Sequence, residues 1–428
     1  MHRGSNLSTA DIEGGSLLFL IDEMTSITAG GTERQLIQMI QIARTCGWTP
    51  QVCVMRNSAW FSEEIAGCSV KMLDWDNLAS LHSPGCCLRA VRWMRQQKFD
   101  AMQTIFPESN LVGPWLAKLA GIPVVLGTRR NLSPEITSSF HFPALLRRLT
   151  NYLTAGILVN SEAVLRRTHS IERAPFRKLF VIHNGIDLQK ISPPPELRAQ
   201  MRRELGLSDD DLLVGNLSGL RPIKGIDTFI DAAVLARKTS ERLRFIVVGE
   251  GEFRTEAEAL IERKGLRGIF TVAGPAVDVL PHLAAMDIAV LCSRAEGFSN
   301  SLLEYMATGL AIVATDVGGN REALGGSGLL IAPNDPAALA RAILSLRESH
   351  HREVLGKAAK HAVKRFDLPI AQAKTASIYR KLLSPRVTKC NGYLIEHGRP
   401  DSQPLFVTNS SDLSLISNFK IIDPKESR

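Results

Sequence analysis

Long hydrophobic runs are missing from this 428-residue chain. No stretch approaches the roughly 18 uninterrupted apolar residues that a membrane-spanning helix needs. The N-terminal run Leu17–Ile21 stops at two acids, Asp22 and Glu23, which makes a poor signal peptide and a good first strand. A soluble, cytoplasmic protein is therefore expected. Cysteine is sparse as well: seven residues, an odd number, with no C-x-x-C pair and no zinc spacing. That excludes a disulfide framework and fits a reducing compartment. Aromatic residues make up only 6% of the chain, too few for an aromatic-studded RNA platform. The ten histidines show no H-x-x-x-H or similar metal spacing. The net charge of +8 admits anionic partners such as nucleotide phosphates or lipid headgroups without choosing among them, and no nucleic-acid-binding module is present.

What the sequence does contain is alternation. Short apolar runs exchange with helical patterns almost throughout, the signature of parallel sheets built from βαβ units. The runs at 17–21, 50–55, 101–105, 124–127, 156–161 and 179–187 read as strands of one sheet. Pro193, Pro194 and Pro195 then interrupt the pattern and read as a linker. The alternation restarts with strands at 212–216, 244–251, 269–274, 288–293 and 311–319. The fold class is accordingly α/β, with two Rossmann-like, doubly wound domains facing each other across a cleft. Residues 1–190 form the first domain, rejoined by a C-terminal helix at about 366–384, and residues 191–365 form the second. Residues 385–428 form a polar tail without helical period, expected to be poorly ordered.

Three strand-to-helix junctions carry residues suited to an anionic, polyhydroxylated ligand. In "SRAEGFSNSLLEYMATG" (293–309), Glu296 precedes a turn and Glu304 follows about one helical turn beyond it. Ser299 or Asn300 is the natural N-cap, Gly309 the stop, and the free N–H groups between the two acids make a hydroxyl or anion site. Taken alone, the same residues also read as a loop acid and a solvated helix acid. In "LSGLRPIKGIDTF" (217–229), Arg221 and Lys224 stand before a helix opened by Gly225, a pair of cations suited to a diphosphate. In "TAGGTERQL" (28–36), Gly30 and Gly31 let backbone approach a ligand. Neither a dinucleotide fingerprint nor a Walker loop is present. The D-x-D at Asp74 and Asp76 reads as a polar loop. The segment 140–156, with Arg147 and Arg148 among leucines, fits either docking on an anionic membrane or packing on its own domain.

These pieces, together with "ILVNSEAV", "VIHNGID", "VGEGE" and "VGGNREAL" in this order, resemble the retaining GT-B glycosyltransferases known as glycosyl transferases group 1, with Glu296 and Glu304 as the two acids of their E-x7-E motif. The resemblance spans about residues 15–384 and implies a donor site. Glu304 would hold the ribose hydroxyls of a nucleotide-diphosphate sugar. Glu296, with the N–H groups of Phe298, Ser299 and Asn300, would hold sugar hydroxyls or phosphate. Arg221 and Lys224 would neutralise the leaving diphosphate with no metal and no cofactor, while Gly31 approaches it from across the cleft. Gly219 stands where the family often carries a basic residue, a place Arg221 fills here. Arg129 or Arg130 stands where many members carry a histidine that contacts the donor sugar. The implied partners are a nucleotide sugar and a lipid-linked or saccharide acceptor, with peripheral membrane contact and no nucleic acid. The implied setting is bacterial surface polysaccharide or lipopolysaccharide assembly. A nucleotide-sugar epimerase of the same fold, or a non-catalytic nucleotide-sugar-binding protein, is the alternative.

Overall fold

The computed structural model describes residues 15–24, 31–58, 62–75, 83–132 and 144–383. The tail 385–428, Thr28 to Gly30, Asp76 and residues 140–143 lie outside them.

Two sheets dominate. The first comprises β1 (Ser16–Ile21), β2 (Thr49–Val54), β3 (Glu64–Ile65), β4 (Cys68–Met72), β5 (Ala101–Thr104), β6 (Val124–Arg129), β7 (Gly156–Val159) and β8 (Leu179–Val181), in spatial order β3-β4-β2-β1-β5-β6-β7-β8. Only the edge pair β3–β4 is antiparallel. The second comprises β9 (Leu212–Leu217), β10 (Leu243–Val248), β11 (Phe270–Val272), β12 (Ile288–Leu291), β13 (Ala311–Thr315) and β14 (Leu329–Ile331), all parallel, in order β11-β10-β9-β12-β13-β14. In both, the order reverses beside the first strand, so a crevice opens at the carboxyl ends of β1/β5 and β9/β12, where doubly wound sheets take ligands.

Successive strand residues face opposite sides, and helices cover both faces. Val214, Phe245, Val247, Val290 and Val313 pack into one core, while Leu213, Ile246, Leu291 and Ile312 pack into another behind the same sheet. In the first sheet Leu17, Phe19 and Ile21 divide from Leu18 and Leu20 in the same way. The helix Leu368–Leu383 returns to the first sheet. Tyr379 is fully buried in that core and donates to Gln103 Oε1 at 2.5 Å.

Some elements depart from the sequence reading. The triple proline is no simple linker: Pro195 occupies the first position of the helix Pro195–Glu204, where its missing N–H costs nothing. The helix Pro107–Ala120 starts four residues early because the buried Asp22 accepts from its first N–H groups, Glu108 (2.9 Å) and Ser109 (2.6 Å). The eighth strand ends at Val181, freeing His183 and Asn184 for work at the cleft. Strands β3, β4 and β14 were not expected; they are short edge pieces too weakly patterned to stand out.

Candidate active site

The carboxyl edge of the second sheet brings the Arg221–Lys224 turn up to the Glu296 loop. At β9, the chain leaves through Gly219 and Arg221 into a tight turn ending at Lys224 and Gly225. Gly225 has φ 67°, and a side chain there would meet the Cys292 carbonyl oxygen at 2.2 Å. That approach, with Cys292 Sγ donating to the Lys224 carbonyl at 3.3 Å, holds Lys224 against the end of β12. Arg294 fastens the two loops further. Its N–H donates to the Ile223 carbonyl (2.8 Å) and its guanidinium to Asp227 (2.5 Å). Burial pushes the Cys292 thiol up to about 12, so it is an inert packing group.

Lys224 Nζ consequently reaches both oxygens of Glu296, at 2.8 and 2.9 Å, with the two side chains only 14% and 12% exposed. The following turn runs into the helix Asn300–Thr308, for which Ser299 is the N-cap, accepting from the Leu302 N–H at 3.3 Å. Gly309 ends it in the left-handed conformation, φ 76°. Among the described residues the N–H groups of Phe298, Ser299 and Asn300 have no acceptor, so they remain available to a ligand. Glu304 lies half-buried one turn further on. Beside it the buried Tyr305 hydroxyl accepts from the Leu217 N–H at 2.5 Å, tying this helix to the end of β9. Arg221 is exposed, and a side chain at Gly219 would make ordinary contact with the Glu250 carbonyl oxygen (3.5 Å) and Arg221 Nε (3.8 Å).

The first domain meets this turn directly. Asn184, 4% exposed, donates to the Phe298 carbonyl (2.9 Å) and to Asn300 Oδ1 (2.6 Å), and accepts from the Arg130 guanidinium. Burial lowers Arg130 to about 10. The backbone of Gly297 runs so close to the Arg130 carbonyl that a side chain would lie 2.0 Å from it. Gly318 (φ 55°) and Gly319 press on the same loop from behind, Gly319 N–H donating to the Gly297 carbonyl at 3.0 Å. A second bridge lies alongside. Glu322 accepts the Glu162 N–H at the start of the helix Glu162–Ser170 (2.9 Å) and meets His183 Nε2 at 2.5 Å. His183 packs on Phe298, ring centroids 4.9 Å apart.

The structure thus brings Glu296, Lys224, Phe298, Ser299 and Asn300 into one place, with Glu304, Arg221 and Gly219 on adjoining turns of the same sheet edge. Gly31 opens the helix Gly31–Thr45 at the carboxyl end of β1. Arg129 is a correction. Its guanidinium points away from the turn to Glu172 (2.9 Å) and Asn151 (3.1 Å), because consecutive residues at a strand end face opposite sides. Arg130 is the residue that reaches the cleft. Asn184, His183 and Glu322 were not singled out by the sequence. Their signal, short polar groups just past a strand end in "VIHNGID" and "VGGNREAL", becomes legible only once the two sheets face each other. Asp74 lies in a left-handed turn (φ 51°) after β4.

Two doubly wound sheets, parallel but for one edge pair, are those of the GT-B glycosyltransferase fold. Solved structures agree on the fold. A crystal structure of Anabaena Alr3699/HepE in complex with UDP and glucose superposes with TM-score 0.73 at 24% identity, covering 86% of this chain and all of that one. Residues 211–349 match the model of the glycosyl transferases group 1, and residues 29–190 that of glycosyltransferase family 4. Phosphatidyl-myo-inositol mannosyltransferase of Mycobacterium leprae is 27% identical over 364 residues, 82% of this chain and 92% of that protein. The lipopolysaccharide core biosynthesis mannosyltransferase LpsB of Rhizobium meliloti is 29% identical over 214 residues, 47% of this chain and 61% of its own. Each half of the chain thus matches a glycosyltransferase family model, and the protein is a glycosyltransferase enzyme.

Proposed function

We propose that this glycosyltransferase takes its sugar from a nucleotide-diphosphate donor, needs no metal, and keeps the anomeric configuration of the sugar it transfers. The observation that carries the reading is the Lys224–Glu296 pair at the carboxyl edge of the second sheet. A cation poised within 3 Å of a carboxylate, next to unpaired N–H groups, fits a ligand whose diphosphate and sugar hydroxyls lie side by side. Lys224 and Arg221 would take up the charge that grows on the departing diphosphate. Glu296 would hold sugar hydroxyls and Glu304 the ribose. Gly31 and Gly219 would leave room for the phosphates.

In such a transfer the bond from the anomeric carbon to the diphosphate oxygen breaks with its electron pair, which leaves on the phosphate. The acceptor hydroxyl attacks from the same face and passes its proton to that phosphate oxygen. Glu296 is then a holder of the donor, unlike the nucleophile of a retaining hydrolase. The named relatives are a phosphatidyl-myo-inositol mannosyltransferase and a lipopolysaccharide core biosynthesis mannosyltransferase, and this supports a surface-glycan acceptor, lipid-linked or saccharide, met at the inner face of the cytoplasmic membrane. No described helix is long and apolar enough to cross a membrane, so that contact would be peripheral.

A thermal-shift panel of nucleotide sugars in the presence of EDTA tests the donor half of the proposal. One base and sugar should stabilise the chain, and Lys224→Ala should abolish the shift. Analysis of the transferred sugar's anomeric proton by NMR tests the rest. Inversion of configuration, or silence across the whole panel, would sink it.

A further inference from the structure

Asn184 lies just past the end of β8, is 4% exposed, and directs its whole side-chain amide at the contact between the two domains. Its Nδ2 donates to the Phe298 carbonyl (2.9 Å) and to Asn300 Oδ1 (2.6 Å), and its Oδ1 accepts from the Arg130 guanidinium. Polarity runs one way through these bonds. A guanidinium can only donate and a carbonyl can only accept, so the Asn184 amide fits in one orientation, oxygen toward Arg130 and nitrogen toward Phe298. The orientation of Asn300 follows from it. The Asn300 oxygen meets the Asn184 nitrogen, so its own Nδ2 is turned elsewhere, and no described residue accepts from that group.

Arg130 is placed to keep that orientation. Among the described residues no carboxylate pairs with its half-buried guanidinium, whose side-chain bond goes to Asn184. Its backbone is fixed as well: Asn160, 2% exposed, donates to the Arg130 carbonyl at 3.1 Å, and Gly297 lies against the same oxygen. The first domain therefore holds the turn 297–300 at Gly297, at the Phe298 oxygen and at the Asn300 side chain. The hold on Phe298 decides what the turn presents. A planar trans peptide points its carbonyl and the following N–H in opposite directions. With the Phe298 oxygen drawn to Asn184, the Ser299 N–H faces away from Asn184, and no described group accepts from it. If this peptide flipped, the turn would offer a carbonyl oxygen in place of an N–H, and a hydroxyl or phosphate oxygen bound there would lose its donor.

We propose that Asn184, oriented by Arg130, is a positioning residue for sugar transfer: by clamping the Phe298 oxygen and the Asn300 side chain it aims the Ser299 N–H and the Asn300 amide at the donor sugar. The assignment rests on the donor reading given above, since it takes the ligand of this turn to be the sugar of a nucleotide-diphosphate donor. On that reading the diphosphate has its own holders, Arg221 and Lys224, and Asn184 acts on the sugar end alone.

Isothermal titration of the full chain with UDP-glucose, UDP-galactose, UDP-N-acetylglucosamine and GDP-mannose, beside UDP and GDP, separates the two ends of the donor. Asn184→Ala should weaken the nucleotide sugar that binds by about five- to thirtyfold, as for the loss of one or two hydrogen bonds, while the matching nucleoside diphosphate stays within about twofold. Asn184→Asp has the same size and keeps an acceptor for Arg130, yet brings no hydrogen to the Phe298 oxygen. It should bind as poorly as Asn184→Ala, and it stands in if the alanine variant does not fold. Arg130→Met should show the same selective loss, and Arg130→Lys, which still donates to Asn184, should recover part of it. Lys224→Ala should weaken both classes of ligand. The proposal fails if the Asn184 variants bind the nucleotide sugar as the original does, or if sugar and nucleoside diphosphate weaken equally. It fails too if Asn184→Asp restores what Asn184→Ala loses, since packing alone would then explain the effect. An undiminished Arg130→Met would overturn the part given to Arg130. If the original chain binds a nucleoside diphosphate but no nucleotide sugar, the proposal falls alone; if it binds neither, the donor reading falls with it.

Discussion

Lys224 and Glu296 stand 72 residues apart in the chain and 2.8 Å apart in the fold. Each is the last charged residue of a strand-end loop, and β9 and β12 are neighbours at the point where the strand order reverses. The pair keeps either charge from being buried alone.

Lys224→Ala should lower the rate of sugar transfer by roughly 10²–10³, the usual cost of removing one group that stabilises developing charge. Glu296→Gln should cost less, because an amide still bonds hydroxyls. The two effects should not add. Once Lys224 is gone, Glu296 is an unpaired carboxylate, and the double variant should be no slower than the lysine variant alone. Steady-state kinetics at saturating donor measures this, and additive losses would refute a shared role.

Glu322 holds the two sheets together through the Glu162 N–H and His183. Glu322→Ala leaves a helix-terminal N–H and an imidazole without their acceptor at an interface, which should destabilise the chain by about 1–3 kcal/mol. Glu322→Gln retains one acceptor oxygen and should recover part of that loss. Urea unfolding gives the difference, and equal stability of all three proteins would show that the bridge contributes nothing.

Gly318 admits no side chain, since φ is 55° and a Cβ would lie 1.6 Å from the Glu296 carbonyl oxygen. Gly318→Ala must push the Glu296 loop away or strain the backbone by about 1–2 kcal/mol. Transfer activity should fall steeply while the chain stays folded, a combination that circular dichroism and an activity assay reveal together. Unchanged activity would mean that the loop is not fixed from this side.

Asp22 supplies the pH dependence. Burial raises its carboxyl from 3.8 to about 6, against the pull of two N–H donors. The folded chain therefore takes up this proton before the unfolded chain does, and stability from this group grows as pH falls from about 7 to about 4. Asp22→Asn cannot titrate. Relative to that variant, the original chain should gain about 3 kcal/mol over this interval, because folded and unfolded carboxyls titrate about two pH units apart and each is worth about 1.4 kcal/mol. Urea unfolding of both chains across the range measures the gain. Neighbouring acids cancel in the comparison, and a flat difference would contradict the burial argument.

Much of this protein can be read from its residues in order. Period-two and period-3.6 patterns gave the tandem parallel sheets, because strands buried on both faces must be continuously apolar and their crossover helices amphipathic. Ser299, Gly309 and Gly225 announced the turns that carry the candidate site, since caps and left-handed residues are local requirements. Local rules could not decide between Arg129 and Arg130. Adjacent side chains on a strand end diverge, and only the packing against Glu172 and Asn184 settles which one enters the cleft. Nor could they find Asn184, His183 and Glu322, whose meaning is a contact between two sheets far apart in sequence. The sequence by itself determined the two domains and the strand-end loops that bear Glu296, Lys224 and Glu304. Tertiary structure alone decided which of those loops touch, because charge pairing and close backbone approach depend on strand order and sheet orientation, and neither is a local property of the chain.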